Sequence, residues 1–160
     1  MTMHERPADP YGDLRQRLRE FCADFGNPYF REKARIGEYP TEFVDALTKA
    51  GWLAALIPEE YGGMGYGLDK ASVIMEEINR AGGNSGDCHA QMYNMGTILR
   101  HGSKEQKDRY LPRIAAGELR LQSMAVTEPE TGTDTPKTRT FAERVGDKYI
   151  VNGEKVWIGR

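Results

Sequence analysis

The run Gly117-Glu118-Leu119-Arg120-Leu121-Gln122-Ser123-Met124-Ala125-Val126-Thr127 divides the chain into two kinds of pattern. Before it, apolar residues recur at the three- and four-residue spacing of a helix face. Within it, Leu119, Leu121, Ser123, Ala125 and Thr127 alternate with their neighbours, the period of a strand. The change predicts an α+β chain: an all-α helical bundle domain over residues 1–118, followed over 119–160 by the first strands of a β-barrel or sandwich domain.

Upstream of the change the helices read clearly. Leu14, Leu18, Phe21, Cys22 and Phe25 share one face, and Gly26-Asn27-Pro28 ends or bends that helix. Pro40-Thr41-Glu42 opens a second helix carrying Phe43, Val44 and Leu47, which Gly51 stops. Trp52 to Ile57 is short and apolar, and the glycines of Glu59–Gly67 preclude regular structure there. A third helix is predicted from Leu68 to Arg80, and a fourth carries Met92, Tyr93, Met95, Ile98 and Leu99. Ser103-Lys104-Glu105-Gln106 is a capping box that starts a fifth helix, bent or restarted near Pro112 and ending near Ala116. Downstream, a polar loop over Glu128–Pro136 leads to a strand from Lys137 to Val145, a Gly146-Asp147 turn and a further strand from Tyr149 to Ile158.

The chain of 160 residues carries 39% hydrophobic and 29% charged residues and a formal charge of −2, which offers no footprint for nucleic acid or an anionic membrane. The opening Met1–Pro7 stretch lacks the apolar run of a signal peptide. The apolar stretch Gly51–Pro58 is far short of the roughly 20 residues of a membrane span. Cys22 and Cys88 have no zinc-ligand spacing and read as buried thiols of a reducing, cytoplasmic setting. Some forty residues of strand do not close a barrel, and the sequence stops just past an apolar strand. A piece of a larger fold is therefore expected, the alternative being a small sheet packed on the helices.

Few residues carry chemistry. His4, His89 and His101 lie far apart in sequence, no metal site is expected, and Gly63-Met64-Gly65-Tyr66-Gly67 fits a plain turn better than a phosphate loop. The informative segment is Met124-Ala125-Val126-Thr127-Glu128-Pro129-Glu130-Thr131-Gly132-Thr133-Asp134. A strand ending in a hydroxyl residue and followed by a proline-braced loop can present N–H groups and hydroxyls in one concave turn. Such a turn suits an acceptor-rimmed heterocycle or a phosphate, or is an ordinary Thr/Asp-rich loop.

That segment resembles the T-E-P-x-x-G-S-D loop of the acyl-CoA dehydrogenases. Gly146-Asp147-Lys148-Tyr149-Ile150-Val151-Asn152-Gly153-Glu154-Lys155-Val156-Trp157-Ile158 resembles that family's hairpin and W-I-[ST] flavin contact. Pro58-Glu59-Glu60-Tyr61-Gly62-Gly63-Met64-Gly65, Gly102–Lys107, and Tyr110-Leu111-Pro112 with Gly117-Glu118 agree in order, so the resemblance runs from about Tyr39 to Arg160. It implies an FAD-dependent flavoprotein oxidoreductase of fatty acid metabolism that converts an acyl-CoA to an enoyl-CoA and passes electrons to an electron-transfer flavoprotein. Homo-oligomers are common in the family.

The resemblance also assigns residues. Met124 through Thr133 would line the FAD ring, with backbone bonds from Val126 and a hydroxyl bond from Thr127. Thr133, where serine is usual, would lie near both flavin and acyl-CoA. Trp157 would pack on the flavin and Ile158 would hold the strand. Gly159 stands where a threonine or serine is common, so only its N–H can serve, and Glu130 and Thr131 replace small residues of the loop. The family's catalytic glutamate belongs to a C-terminal helical domain that the resemblance does not reach. No catalytic residue is assigned, Glu128 reads as a loop brace, and these residues alone are expected to lack activity. Two other readings stay open: a non-catalytic flavin- or acyl-CoA-binding or assembly module, and part of a related flavoprotein oxidase.

Overall fold

The computed structural model describes residues 9–159, so His4, the Met1–Pro7 stretch and Arg160 lie outside the described residues. It divides into two compact units, up to Leu121 and from Gln122 onward.

The first unit is helical: α1 (Gly12–Ala23), α2 (Asn27–Ile36), α3 (Thr41–Lys49), α4 (Leu68–Arg80), α5 (Gly86–His101) and α6 (Lys104–Ala115). α1 buries Leu14, Leu18 and Cys22 against the Ala71, Val73, Ile74 and Ile78 face of α4, while Phe43, Val44 and Leu47 of α3 fill the same core. A second cluster joins Ala54, Ile57 and Met95 to Leu111 and Ile114 of α6. Among the described residues, no helix is long and apolar enough to cross a membrane.

Two details depart from the sequence reading. Gly26-Asn27-Pro28 does not only end a helix; it also starts α2, with the proline in the first turn where its missing N–H costs nothing. α2 buries no residue fully, although Tyr29 and Phe30 pack on the core. α6 runs through Pro112 without restarting, because the proline falls in its last turn. The Ser103–Gln106 capping box forms as read, with Ser103 N–H donating to Gln106 Oε1 (2.8 Å) and Gln106 N–H to Ser103 Oγ (3.3 Å).

One charge is built into this unit. Glu77 of α4 is only 2% exposed. Its carboxylate accepts from Arg15 (2.8 Å) and from two nitrogens of Arg19 (2.9 and 3.0 Å), both on α1. The Arg19 hydrogen bonds first, with that of Arg15, outweigh the opposing effect of burial and hold its pKa below the usual value. Replacing Glu77 with alanine leaves two guanidinium groups without their shared partner, and is expected to cost about 1–3 kcal/mol in a urea melt followed by circular dichroism.

The glycine-rich segment folds back on the chain before it. Gly63, Met64, Gly65 and Tyr66 donate their N–H groups to carbonyls of Pro58, Ala54, Ile57 and Ala55 (3.2, 3.4, 2.8 and 2.8 Å). With those donors spent, the segment is a turn and offers no phosphate cradle. A Cβ on Gly63 would run into the Ile57 carbonyl. Gly63→Ala is therefore expected to lower stability by about 1–3 kcal/mol, read as a reduced denaturation midpoint.

The second unit contains one antiparallel hairpin, β1 (Phe141–Val145) paired with β2 (Lys148–Asn152) in the register Phe141 to Asn152 and Val145 to Lys148. The expected strand over Leu119–Thr127 is corrected to an extended segment without a ladder. Leu119 and Leu121 pack on the second helical cluster, and α5 side chains satisfy the Leu121 backbone: its N–H donates to Gln91 Oε1 (2.8 Å) and its carbonyl accepts from Asn94 Nδ2 (3.3 Å). The strand expected from Lys137 begins only at Phe141, after a helical turn at Thr135–Lys137. The strand expected to reach Ile158 stops at Asn152.

Candidate functional site

The loop after Gln122 is organised around a carboxylate. Glu128 closes a tight turn with Thr131, each donating its N–H to the other's carbonyl (2.9 and 3.1 Å). Its side chain is 6% exposed. The carboxylate accepts from the N–H groups of Arg139 (2.6 Å) and Thr140 (2.9 Å) and from Lys155 Nζ (2.9 Å). Those two N–H groups directly precede β1, which explains why the strand starts where it does.

Lys155 also donates to the Val126 carbonyl (2.9 Å), and the next residue, Val156, donates its N–H to the Thr127 carbonyl (3.0 Å). Residues 126–128 are thus stitched to 155–156. The Thr127 hydroxyl and the N–H groups of Val126 and Thr127 have no hydrogen-bond partner among the described residues. Trp157, immediately after the stitch, is 91% exposed and sits at φ 60°, the left-handed region that bulky residues rarely adopt. Ser123 Oγ donates to the Gly159 carbonyl (2.8 Å), tying the other side of Trp157 back to the segment beside Met124.

The residues singled out in the sequence therefore fall into two groups. Val126 and Thr127 meet the segment bearing Trp157, while Met124 and Ile158 flank the Ser123–Gly159 tie, half exposed at 39% and 40%. Thr133 lies beyond the Glu128–Thr131 turn, exposed, and no hydrogen bond joins it to the others among the described residues. The residue missed by sequence reading is Lys155. No local pattern marks it, since Lys155 follows Gly153-Glu154 and only borders the apolar Val156-Trp157-Ile158 run.

Other candidates are chemically quiet. No cluster of metal-binding side chains occurs among the described residues. Burial pushes the Cys22 thiol up to about 11 and the Cys88 thiol up to about 12, so neither is a nucleophile at neutral pH. A groove of about 600 Å³ lies between α4 and α5, walled by Leu56, Tyr66, Met75, Met92 and Tyr93, with Arg100 and His101 at its rim.

Residues 11–118 match the family model "Acyl-CoA dehydrogenase, N-terminal domain". The chain is 38% identical over 146 residues to acyl-CoA dehydrogenase FadE12 of Mycobacterium tuberculosis (strain ATCC 25618 / H37Rv), covering 91% of this chain and 37% of that protein. It is 35% identical over 149 residues to the mitochondrial isovaleryl-CoA dehydrogenase of Pongo abelii, covering 91% of this chain and 35% of that one. A solved glutaryl-coenzyme A dehydrogenase in complex with glutaryl-CoA superposes with a TM-score of 0.82 at 29% identity, over 98% of this chain and 40% of that chain. The helical unit followed by the start of a β domain is thus the N-terminal architecture of the acyl-CoA dehydrogenases, and the chain belongs to that family. It spans little more than a third of the length of the relatives it matches.

The Glu128 carboxyl is held down at about 2, first by the Arg139 N–H and with help from Lys155. A carboxyl depressed in the folded state contributes stability that is complete above its unfolded value near 4.5 and is lost as pH falls through about 2. The side-chain carboxyl carbon of Glu128 is expected to titrate near pH 2 by carbon-13 NMR, whereas exposed glutamates move near pH 4. A midpoint above 4 would mean that the observed contacts do not persist in solution.

Proposed function

We propose that this chain forms the N-terminal helical domain, ending near residue 118, and the first part of the FAD-binding β domain of an acyl-CoA dehydrogenase. The whole protein would oxidise an acyl-CoA thioester to a trans-2-enoyl-CoA and deliver the electrons to an electron-transfer flavoprotein. The observation that carries this reading is the strip Val126–Thr127, with its unpartnered donors, stitched beside an exposed Trp157 in a chain of this family.

The donor set fits the acceptors of a flavin's pyrimidine edge, its two carbonyl oxygens and N1. FAD, when bound, supplies the acceptor for the substrate's β-hydride. The Val126 and Thr127 N–H groups and the Thr127 hydroxyl would hold the ring's edge, stabilising negative charge there. Trp157 would lend its indole face, with Ile158 and Met124 beside it, and the Gly159 N–H would stand where a hydroxyl is usual. Thr133 would approach both ring and thioester. The apolar groove between α4 and α5 suits the shielding of a hydrocarbon chain.

Glu128 is unsuited to act as the base. A general base works best with a pKa near the operating pH, and this carboxylate is held at about 2 with both oxygens engaged. We therefore assign the α-proton to a carboxylate of the C-terminal helical domain that the resemblance implies. Buried, unpaired thiols agree with a reducing, cytoplasmic setting, and a homo-oligomer is the assembly expected of the whole protein.

Fluorescence titration of the whole protein with FAD tests the cofactor reading. Thr127→Val keeps the shape and deletes the hydroxyl, and is expected to weaken binding about five- to tenfold, the equivalent of one hydrogen bond of about 1 kcal/mol or slightly more. Residues 1–160 alone are expected to release FAD on gel filtration and to form no enoyl-CoA. No FAD uptake by the whole protein, or enoyl-CoA formation by these residues alone, would refute the proposal.

A further inference from the structure

We propose that Lys155, steered by Glu128, is a positioning residue that aims the Thr127 N–H at the bound ring; this rests on the flavin reading above. The argument begins with the planar trans peptide. The Val126 carbonyl and the Thr127 N–H belong to one peptide unit and point in opposite directions, so fixing one fixes the other. Lys155 Nζ takes the Val126 carbonyl at 2.9 Å, and the Thr127 N–H, at the other end of that unit, has no partner among the described residues.

An ammonium on a flexible four-carbon stem does not orient a peptide by itself. Here the same Nζ is held at 2.9 Å by Glu128 Oε1, and Glu128 is in turn fixed by the Arg139 and Thr140 N–H groups. Lys155 is 24% exposed and Glu128 6%, so the pair is shielded from competing water on most sides. The neighbouring Thr127 carbonyl is consumed by the Val156 N–H. The result is a pair of residues whose carbonyls are both occupied while two N–H groups and a hydroxyl remain uncommitted. The Thr127 N–H, fixed through its own peptide unit, is left to meet an acceptor of the ring. Without Lys155 the Val126–Thr127 unit can rotate, and a carbonyl oxygen turned toward the ring would repel its acceptor edge.

The test uses the whole protein. Lys155→Met keeps the apolar stem and removes the ammonium, Lys155→Arg restores a cation able to reach two acceptors, and Glu128→Gln removes the steering charge. The readouts are FAD affinity by fluorescence, the visible flavin bands, and the amide shift and hydrogen exchange of Thr127 and Val156 by NMR. Circular dichroism of the helices verifies folding. Lys155→Met is expected to weaken FAD at least tenfold, shift the flavin bands and move the Thr127 amide resonance, with Lys155→Arg returning to within about threefold of wild type. Glu128→Gln added to Lys155→Met should lower affinity no further, because the two act through one contact. Wild-type affinity and flavin bands in Lys155→Met would overturn the positioning role and leave the flavin reading standing. Should Lys155→Met fold poorly, Glu128→Gln and Lys155→Arg decide: a loss of affinity in the first with retention in the second supports the proposal, and any other pairing overturns it. Wild-type protein that takes up no FAD would overturn both.

Discussion

A carboxylate withdrawn from water must be met by donors, and the donors Glu128 finds come from separate parts of the chain. Two are backbone N–H groups at the entry to β1, and one is the ammonium of Lys155 beyond β2. The consequence is geometric. The loop that begins at Val126 cannot move relative to the hairpin without exposing or orphaning a charge, a penalty of several kcal/mol in a shielded site. The hairpin itself has little else to anchor it, since both strands are exposed along their length within this unit. One ionised side chain therefore does for this loop what a hydrophobic core does elsewhere.

The helical unit solves the same problem with the opposite arrangement. At Glu77 the carboxylate is fixed in a well-packed helix and two guanidinium groups on long stems reach in from α1. At Glu128 the fixed donors are peptide N–H groups, which cannot adapt, so the carboxylate must sit at a defined point. Arginine clamps tolerate small shifts between helices because the side chains absorb them. A carboxylate bridging two consecutive N–H groups does not, which is the property wanted where a rigid planar ligand is to be held.

What could be read from the sequence follows the range of the interactions. α4 was legible to the residue, and so was the capping box of α6, because apolar spacing and a four-residue cap are local. α2 was not legible: Asn27-Pro28 reads equally as an end and as a beginning, and the helix buries no complete apolar stripe to decide the matter. The alternation over Leu119–Thr127 was real but misleading. Its first apolar pair packs on α5 and α6, and its backbone is satisfied by Gln91 and Asn94, some thirty residues away in sequence. The candidate flavin residues were reached only through resemblance to a family. The role of Lys155 was not legible, because it depends on a contact 27 residues away with no periodic signature.

Trp157 shows how these parts act together. A tryptophan in the left-handed region costs on the order of 1–2 kcal/mol, and a 91% exposed indole gains nothing from burial to offset it. Such a conformation persists only when the residues on either side are fixed independently. Here they are: Val156 is held to Thr127 on one side, and Gly159 is held to Ser123 on the other. The chain has two residues, Trp157 and Ile158, in which to pass between those ties. Relaxing the tryptophan to an ordinary backbone would redirect the chain and break one of them. The exposed ring is thus a consequence of the same stitching that leaves the Thr127 donors unpaired. A flat ligand that covers the indole while accepting from Thr127 would recover the cost of both features in a single contact.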